Sequence, residues 1–178
     1  MSEPRVPTEP VRTARLDLLP LRVEHAEEMA VVLSDPALHT FIGGTPLPLA
    51  DLRARYARLV AGSPDPAVSW CNWVLRLRAE SCLIGTVQAT VSEEDGAEIA
   101  WVVGTPWQGR GFASEAARGL VAWLGRRPVR TVVAHIHPGH HASAAVATAA
   151  GLTPTDEEQD GETRWRLTRA ANTPPAVP

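Results

Sequence analysis

Apolar side chains change spacing several times along the chain, and each change marks an element. Arg15-Leu16-Asp17-Leu18-Leu19-Pro20 alternates and predicts a first strand. Val23 to Leu33 then carries Ala26, Met29, Ala30 and Leu33 at helical spacing, and Ser34-Asp35-Pro36 ends that helix. After the Gly/Pro-rich IGGTPLPL loop, Leu49 to Ala61 repeats the helical pattern through Leu52, Tyr56 and Leu59. Its arginines, Arg53, Arg55 and Arg58, fall largely on the other side and read as a solvated face. Three extended runs follow, Asn72 to Arg78, Leu83 to Val91 and Glu98 to Val103, separated by Glu80-Ser81 and by the Glu93-Glu94-Asp95-Gly96 turn. They predict an antiparallel meander. Ser114 to Leu124 is a helix with Ala117, Leu120, Val121 and Leu124 on its apolar side, and the β-branched run Val129 to Ile136 is a strand. Ala142 to Ala150 is an alanine-rich helix stopped by Gly151, and Thr163 to Thr168 is a last strand after the acidic Asp156 to Glu162 turn. Strands that cluster before a strand–helix–strand unit predict an α+β fold with a mixed sheet.

Composition narrows the function. The 178 residues suit one domain, expected over 12–169 with flexible tails at 1–11 and 170–178. All 17 basic residues are Arg, which excludes a catalytic lysine, Schiff-base chemistry and a phosphate-loop lysine. A net charge of −3 argues against a nucleic-acid partner. No apolar run is long enough to span a membrane, and MSEPRVPTEPVRT lacks the apolar core of a secretion signal, so no membrane role and a cytoplasmic location are expected. Cys71 and Cys82 have no thiol or imidazole at zinc-ligand spacing and read as reduced small hydrophobes. His135, His137, His140 and His141 cluster, but with no accompanying carboxylate or thiol they read as strand-end or acid–base groups, and no metal is expected.

Candidate chemistry centres on Thr105-Pro106-Trp107-Gln108-Gly109-Arg110-Gly111-Phe112-Ala113, between a strand and a helix. There, backbone N–H groups and the positive helix end can hold an anion, and Gly109 and Gly111 allow close approach. A nucleotide triphosphate loop needs a Gly-Lys-Ser/Thr ending that is absent. A dinucleotide fingerprint needs a third Gly or Ala where Ser114 stands and an acid where Ala134 and His135 stand. A plain turn without a ligand is the remaining alternative.

Gln108-x-x-Gly111-x-Ala113 resembles the pyrophosphate loop, Gln/Arg-x-x-Gly-x-Gly/Ala, of the GNAT superfamily of N-acetyltransferases. Ala97 to Val103 resembles that family's fourth strand and Val132 to Ile136 its fifth. His137-Pro138-Gly139-His140-His141-Ala142-Ser143, continuing to Gly151-Leu152, resembles its next motif. The opening Arg15 to Leu18 strand is similar to that of the branch acting on ribosomal-protein amino termini, with its antibiotic-modifying relatives. Two positions depart: His140 replaces the usual Asn and Leu152 the usual aromatic.

This resemblance, spanning about Arg12 to Leu167, implies a GNAT-like fold. Its mostly antiparallel twisted sheet of six to seven strands, with about four helices, splays between the family's fourth and fifth strands. It implies acetyl-CoA as co-substrate, held by Val102, Val103, Gln108, Gly109, Arg110, Gly111, Phe112, Ala113, Ser114, His140 and Ser143. It further implies direct attack of an amine on the thioester, with an oxyanion donor at Val102 or Val103. By family position, Glu98 removes the amine proton, and apolar strand neighbours are expected to desolvate it. A surface role continuing the acidic turn is its alternative. Ser143 matches a candidate proton donor to the leaving thiolate, or caps its helix. The family's Tyr donor is replaced by Ala147, and Tyr56, the sole tyrosine, lies elsewhere.

For the acceptor, the resemblance points to a small-molecule amine or a peptide amino terminus, with Glu28, Phe41 and Trp73 at the pocket and the protein a monomer or homodimer. Glu24, Glu27, Glu28 and Asp35, with Asp156 to Glu162, attract a cationic amine or form solvated faces. A noncatalytic acyl-CoA-binding regulatory domain and an acyltransferase using another donor such as succinyl-CoA are the alternatives.

Overall fold

The computed structural model describes residues 5–94 and 96–170. The expected tails at residues 1–4 and 171–178, and Asp95 of the expected acidic turn, lie outside the described residues. The strands are β1 (Val11–Arg12), β2 (Leu16–Pro20), β3 (Val68–Leu77), β4 (Cys82–Ser92), β5 (Gly96–Val103), β6 (Thr131–Ile136), β7 (Thr153–Gln159) and β8 (Glu162–Thr168). The helices are α1 (Ala26–Val32), α2 (His39–Ile42), α3 (Leu49–Ala61), α4 (Phe112–Gly125) and α5 (His141–Ala149). All eight strands join one sheet in the order β1-β2-β3-β4-β5-β6-β8-β7, and the expected meander is β3-β4-β5.

Period-two alternation sorts the strand side chains onto two faces. Leu16, Leu18, Trp73, Leu75 and Ile99 pack on one face against Ala116, Ala117, Leu120 and Leu124 of α4. Val74 and Leu83 point to the other and meet Met29 of α1 and Leu52 and Tyr56 of α3. Helices therefore cover both faces of the sheet, and the two cores share no buried side chain.

One pairing differs from the rest. β5 and β6 are the parallel pair, registered at Ala97 with Val132 and Glu98 with Val133, although β5 runs on to Val103. Beyond Glu98 the strands part and leave a gap in the sheet. Every second residue of a strand turns its N–H and C=O toward one neighbour, so main-chain groups of 99–103 face that gap without a β6 partner. On the other side of β5 the contact is tight. A Cβ at Gly85 of β4 would stand 2.1 Å from the Val102 carbonyl oxygen, so only glycine lets the strands meet there.

Two strands and one helix exceed the sequence pattern. β1 has only two residues, too few for alternation to register. β7 (TPTDEEQ) is polar and almost wholly exposed, an edge whose charges oppose further pairing. α2 is a single turn with no buried residue. The expected amino-terminal tail is also different from Arg5 onward. Val6 N donates to Ser69 Oγ (3.0 Å), Trp73 Nε1 donates to Glu9 O (2.7 Å), and the Glu9 carboxylate pairs with Arg127 (2.5 Å). These bonds tie the segment to β3 and to Arg127 just beyond α4, in place of the loose tail its prolines suggested.

Candidate active site

The loop between β5 and α4 presents donors and few acceptors. Gln108 Nε2 donates to Val103 O (2.9 Å), folding the loop back on the strand end. Gly109 (φ 75°) and Gly111 (φ 81°) adopt the left-handed conformation that glycine tolerates, and Gly111 is the N-cap of α4. As a result, the main-chain N–H groups from Gly109 through Ser114 have no protein acceptor among the described residues. The first main-chain bond beyond them is Glu115 N to Gly111 O (3.0 Å). Two positive-φ glycines one residue apart turn such amides toward one side of the loop, and the helix dipole adds positive potential. The space beside Gly109 is open. These features fit the diphosphate of coenzyme A.

Glu115, in the first turn of α4, braces this loop from behind. Its Oε1 accepts from Thr13 Oγ1 (2.6 Å) and Arg15 N (2.7 Å), and its Oε2 accepts from Arg15 Nε (2.7 Å). Arg15 Nη1 also donates to Arg110 O (3.0 Å). Burial pushes the Glu115 carboxyl up, but the bonds from Thr13 and Arg15 outweigh it and hold the group below its ordinary range. Sequence reasoning missed this residue. The available signal was a lone acid on a helix otherwise apolar and small at that point, with an arginine in the opening strand.

Two cavities flank the end of β5. A cleft of about 360 Å³ is bordered by every residue expected to hold the cofactor except Arg110. The Arg110 guanidinium turns outward over the Phe112 ring (4.9 Å) and pairs with Glu80 (3.4 Å), so Arg110 contributes its main chain to the loop. At the far wall, Ser143 Oγ lies 3.4 Å from His140 Nε2. Burial and the neighbouring His137 lower the His140 pKa, so its ring is neutral at neutral pH. Phe41 stacks on the same ring at 4.3 Å and 8°, which places Phe41 over the cofactor cleft and not in an acceptor pocket.

The larger cavity, about 590 Å³, lies between α1, α3 and the β3–β5 surface. Leu38, Ile42, Trp101 and Val102 border both cavities, so the two meet at the splayed end of β5. Of the expected acceptor residues, Trp73 borders this cavity, but its indole is fully buried and packs edge-on against Trp123 (4.9 Å) in the α4 core. Glu28 is not brought to the site: its Oε1 accepts from Leu83 N (2.9 Å) and it borders neither cavity. The other expected acids are likewise engaged or elsewhere. Glu27 pairs with Arg53, Asp35 accepts from Thr105 Oγ1 (2.6 Å), and Glu157 pairs with Arg164 (2.6 Å).

Glu98 shares its β5 face with Ala100 and Val102, which border the larger cavity. Its side chain is 58% exposed, so the expected apolar surround is absent. Instead its Oε1 lies 3.0 Å from Nδ1 of His135, a pairing that sequence spacing alone did not reveal.

A splayed sheet, a cradle of open amides at the splay and a second cavity meeting it define an acyl-CoA-dependent transferase fold. The family model described as Acetyltransferase (GNAT) domain matches residues 15–153, and the chain belongs to that family, of the RimJ/RimL type. It is an acetyl-CoA-dependent acetyltransferase. Among solved structures, it is similar to a GNAT-family acetyltransferase from Bacillus anthracis. That structure is 18% identical, with 90% of this chain and 98% of the other covered at a TM-score of 0.75. It is also similar to RimL, a ribosomal L7/L12 alpha-N-protein acetyltransferase in complex with coenzyme A (16%, 90% and 98%, 0.76). A third likeness is to AAC(6')-Ib in complex with paromomycin and acetyl-CoA (20%, 87% and 94%, 0.71). No curated protein matches the sequence.

Proposed function

We propose that this chain moves the acetyl group of acetyl-CoA directly onto a primary amine, on a small molecule or a peptide amino terminus, without a covalent enzyme intermediate. The observation that carries the reading is the junction of the two cavities at Trp101 and Val102: one holds open amides suited to a diphosphate, the other a separate acceptor space. Bound acetyl-CoA supplies the activated acyl group; the protein supplies position and proton transfer.

The amides of residues 109–114 hold the diphosphate, and the gap beside β5 admits the rest of the cofactor. Of the two amides expected, alternation turns that of Val102 toward β4 and that of Val103 toward the gap, so the Val103 N–H receives the charge that develops on the acyl oxygen. An ammonium of pKa near about 8 to 10 must lose a proton before it attacks, and Glu98, oriented by His135, takes it, relayed by water along the β5 face. Ser143, whose Oγ lies 3.4 Å from His140 Nε2 on the cofactor side, donates to the departing thiolate.

Thiol release from acetyl-CoA across a panel of amines tests this reading. Glu98→Gln is expected to lower turnover by about 100-fold, the low end for a general base, with coenzyme A binding retained. Cofactor binding without transfer to any amine would replace the reading by a noncatalytic binding role, and unchanged turnover in the variant would remove Glu98 from the mechanism.

A further inference from the structure

The acceptor cavity has a composition that selects among amines. Among the described residues, its wall contains no aspartate or glutamate. Leu52 and Leu59 of α3, with Leu21, Leu33, Leu38, Trp101 and Val102, make most of it, and the half-exposed Ile42 and Leu47 extend the apolar surface to the rim. Of the acids that the sequence offered for attracting a polycation, Glu27, Glu28 and Asp35 are engaged elsewhere, and the others do not line the cavity.

The charge that does border the cavity has the opposite sign. Arg55 of α3 lines it and forms no ion pair among the described residues, unlike its neighbour Arg53, which pairs with Glu27. Next to it in the helix, Tyr56 borders the same space, and its buried hydroxyl has no hydrogen-bond partner. A buried donor without an acceptor is unfavourable, and a ligand oxygen reaching this wall relieves it. A guanidinium with no protein counter-ion at the mouth of an apolar cavity suits a carboxylate, which it binds through paired, charge-assisted hydrogen bonds.

We infer that the acceptor is a primary amine with an apolar body and a carboxylate, the class of apolar amino acids and short apolar peptides, with the amine toward Val102 and the carboxylate toward Arg55. This rests on the amine-acetylation reading above. A polycationic sugar finds no carboxylate in this cavity and meets Arg55 as a like charge. Selectivity then lies with α3, whose arginines the hydrophobic pattern alone puts on a solvated face.

The test measures thiol release from acetyl-CoA with Leu, Phe, Leu-Leu and Phe-Phe, with the C-terminal amides of each, and with an aminoglycoside and spermidine. The acids are expected to exceed their amides in kcat/KM by about tenfold or more, as a charge-assisted pair at a partly exposed site allows. Arg55→Glu is expected to reverse that preference while leaving coenzyme A binding and the melting temperature unchanged. Turnover of the aminoglycoside or spermidine in preference to the apolar acids would overturn the substrate class but keep the transferase reading. Equal rates for acids and amides, or the same preference in Arg55→Glu, would likewise overturn it. No turnover of any amine by protein that binds acetyl-CoA would overturn both.

Discussion

Replacing Glu115 by Gln tests whether the cofactor loop is held from behind by the opening strand. The amide oxygen of Gln can still accept from Thr13 Oγ1 and Arg15 N, but its NH2 group then faces Arg15 Nε, donor against donor, across 2.7 Å. The loss is one hydrogen bond to a charged group, about 1.5–3 kcal/mol in a dry site. The Arg15 side chain is 46% exposed, so solvent screening reduces this to about 1–2 kcal/mol. For a domain of this size that corresponds to a fall of about 2–8 °C in Tm. Because Arg15 also donates to Arg110 O, the KM for acetyl-CoA is expected to rise as well. The pH dependence has a fixed sign. The folded-state pKa of Glu115 lies below its ordinary 4.5, so its stabilisation is present above that value and is lost as pH falls through the folded pKa. Melts of both proteins between pH 7 and pH 3 should therefore show a gap that is constant near neutrality and narrows in acid. Equal stability at pH 7, or a gap that persists unchanged in acid, would refute the reasoning.

Other perturbations separate cofactor, core and splay. Gly111→Ala places a Cβ at φ 81°, costing about 1–2 kcal/mol in local conformation; the KM for acetyl-CoA should rise about tenfold if that distortion is resolved by moving the amides, which initial-rate kinetics reads. Gly85→Ala drives a methyl to 2.1 Å from the Val102 carbonyl, so β5 must shift where the cavities meet; both Tm and kcat should fall, and unchanged kcat would mean the junction is not used. Trp73→Phe removes the indole bond to Glu9 O, costing about 0.5–1.5 kcal/mol, and should leave acceptor KM unchanged, since the indole sits in the α4 core.

Much of this was legible in the sequence because it is local. Alternation over 72–78 and 83–91 and the helical spacing of Leu120, Val121 and Leu124 report which face is buried, and the structure buries those faces. The loop was legible because Gln108, Gly109 and Gly111 sit within a few residues of a helix start. What failed depended on distance or on edges. Glu115 meets Thr13 and Arg15 about a hundred positions away, and Glu98 meets His135 across the parallel β5–β6 pairing, so neither pair leaves a spacing signal. β7 carries no alternation because it is an edge with nothing to bury. Trp73 read as a pocket aromatic because a strand pattern shows two faces without saying which one a cavity adjoins.

In the proposed reaction, open amides between Gly109 and Ser114 hold the cofactor's diphosphate. Amide-resolved NMR of the protein titrated with coenzyme A tests it most directly. The account predicts that the Gly109, Gly111 and Phe112 to Ser114 amide resonances move together and saturate with binding. Binding of coenzyme A that leaves those resonances in place would contradict it.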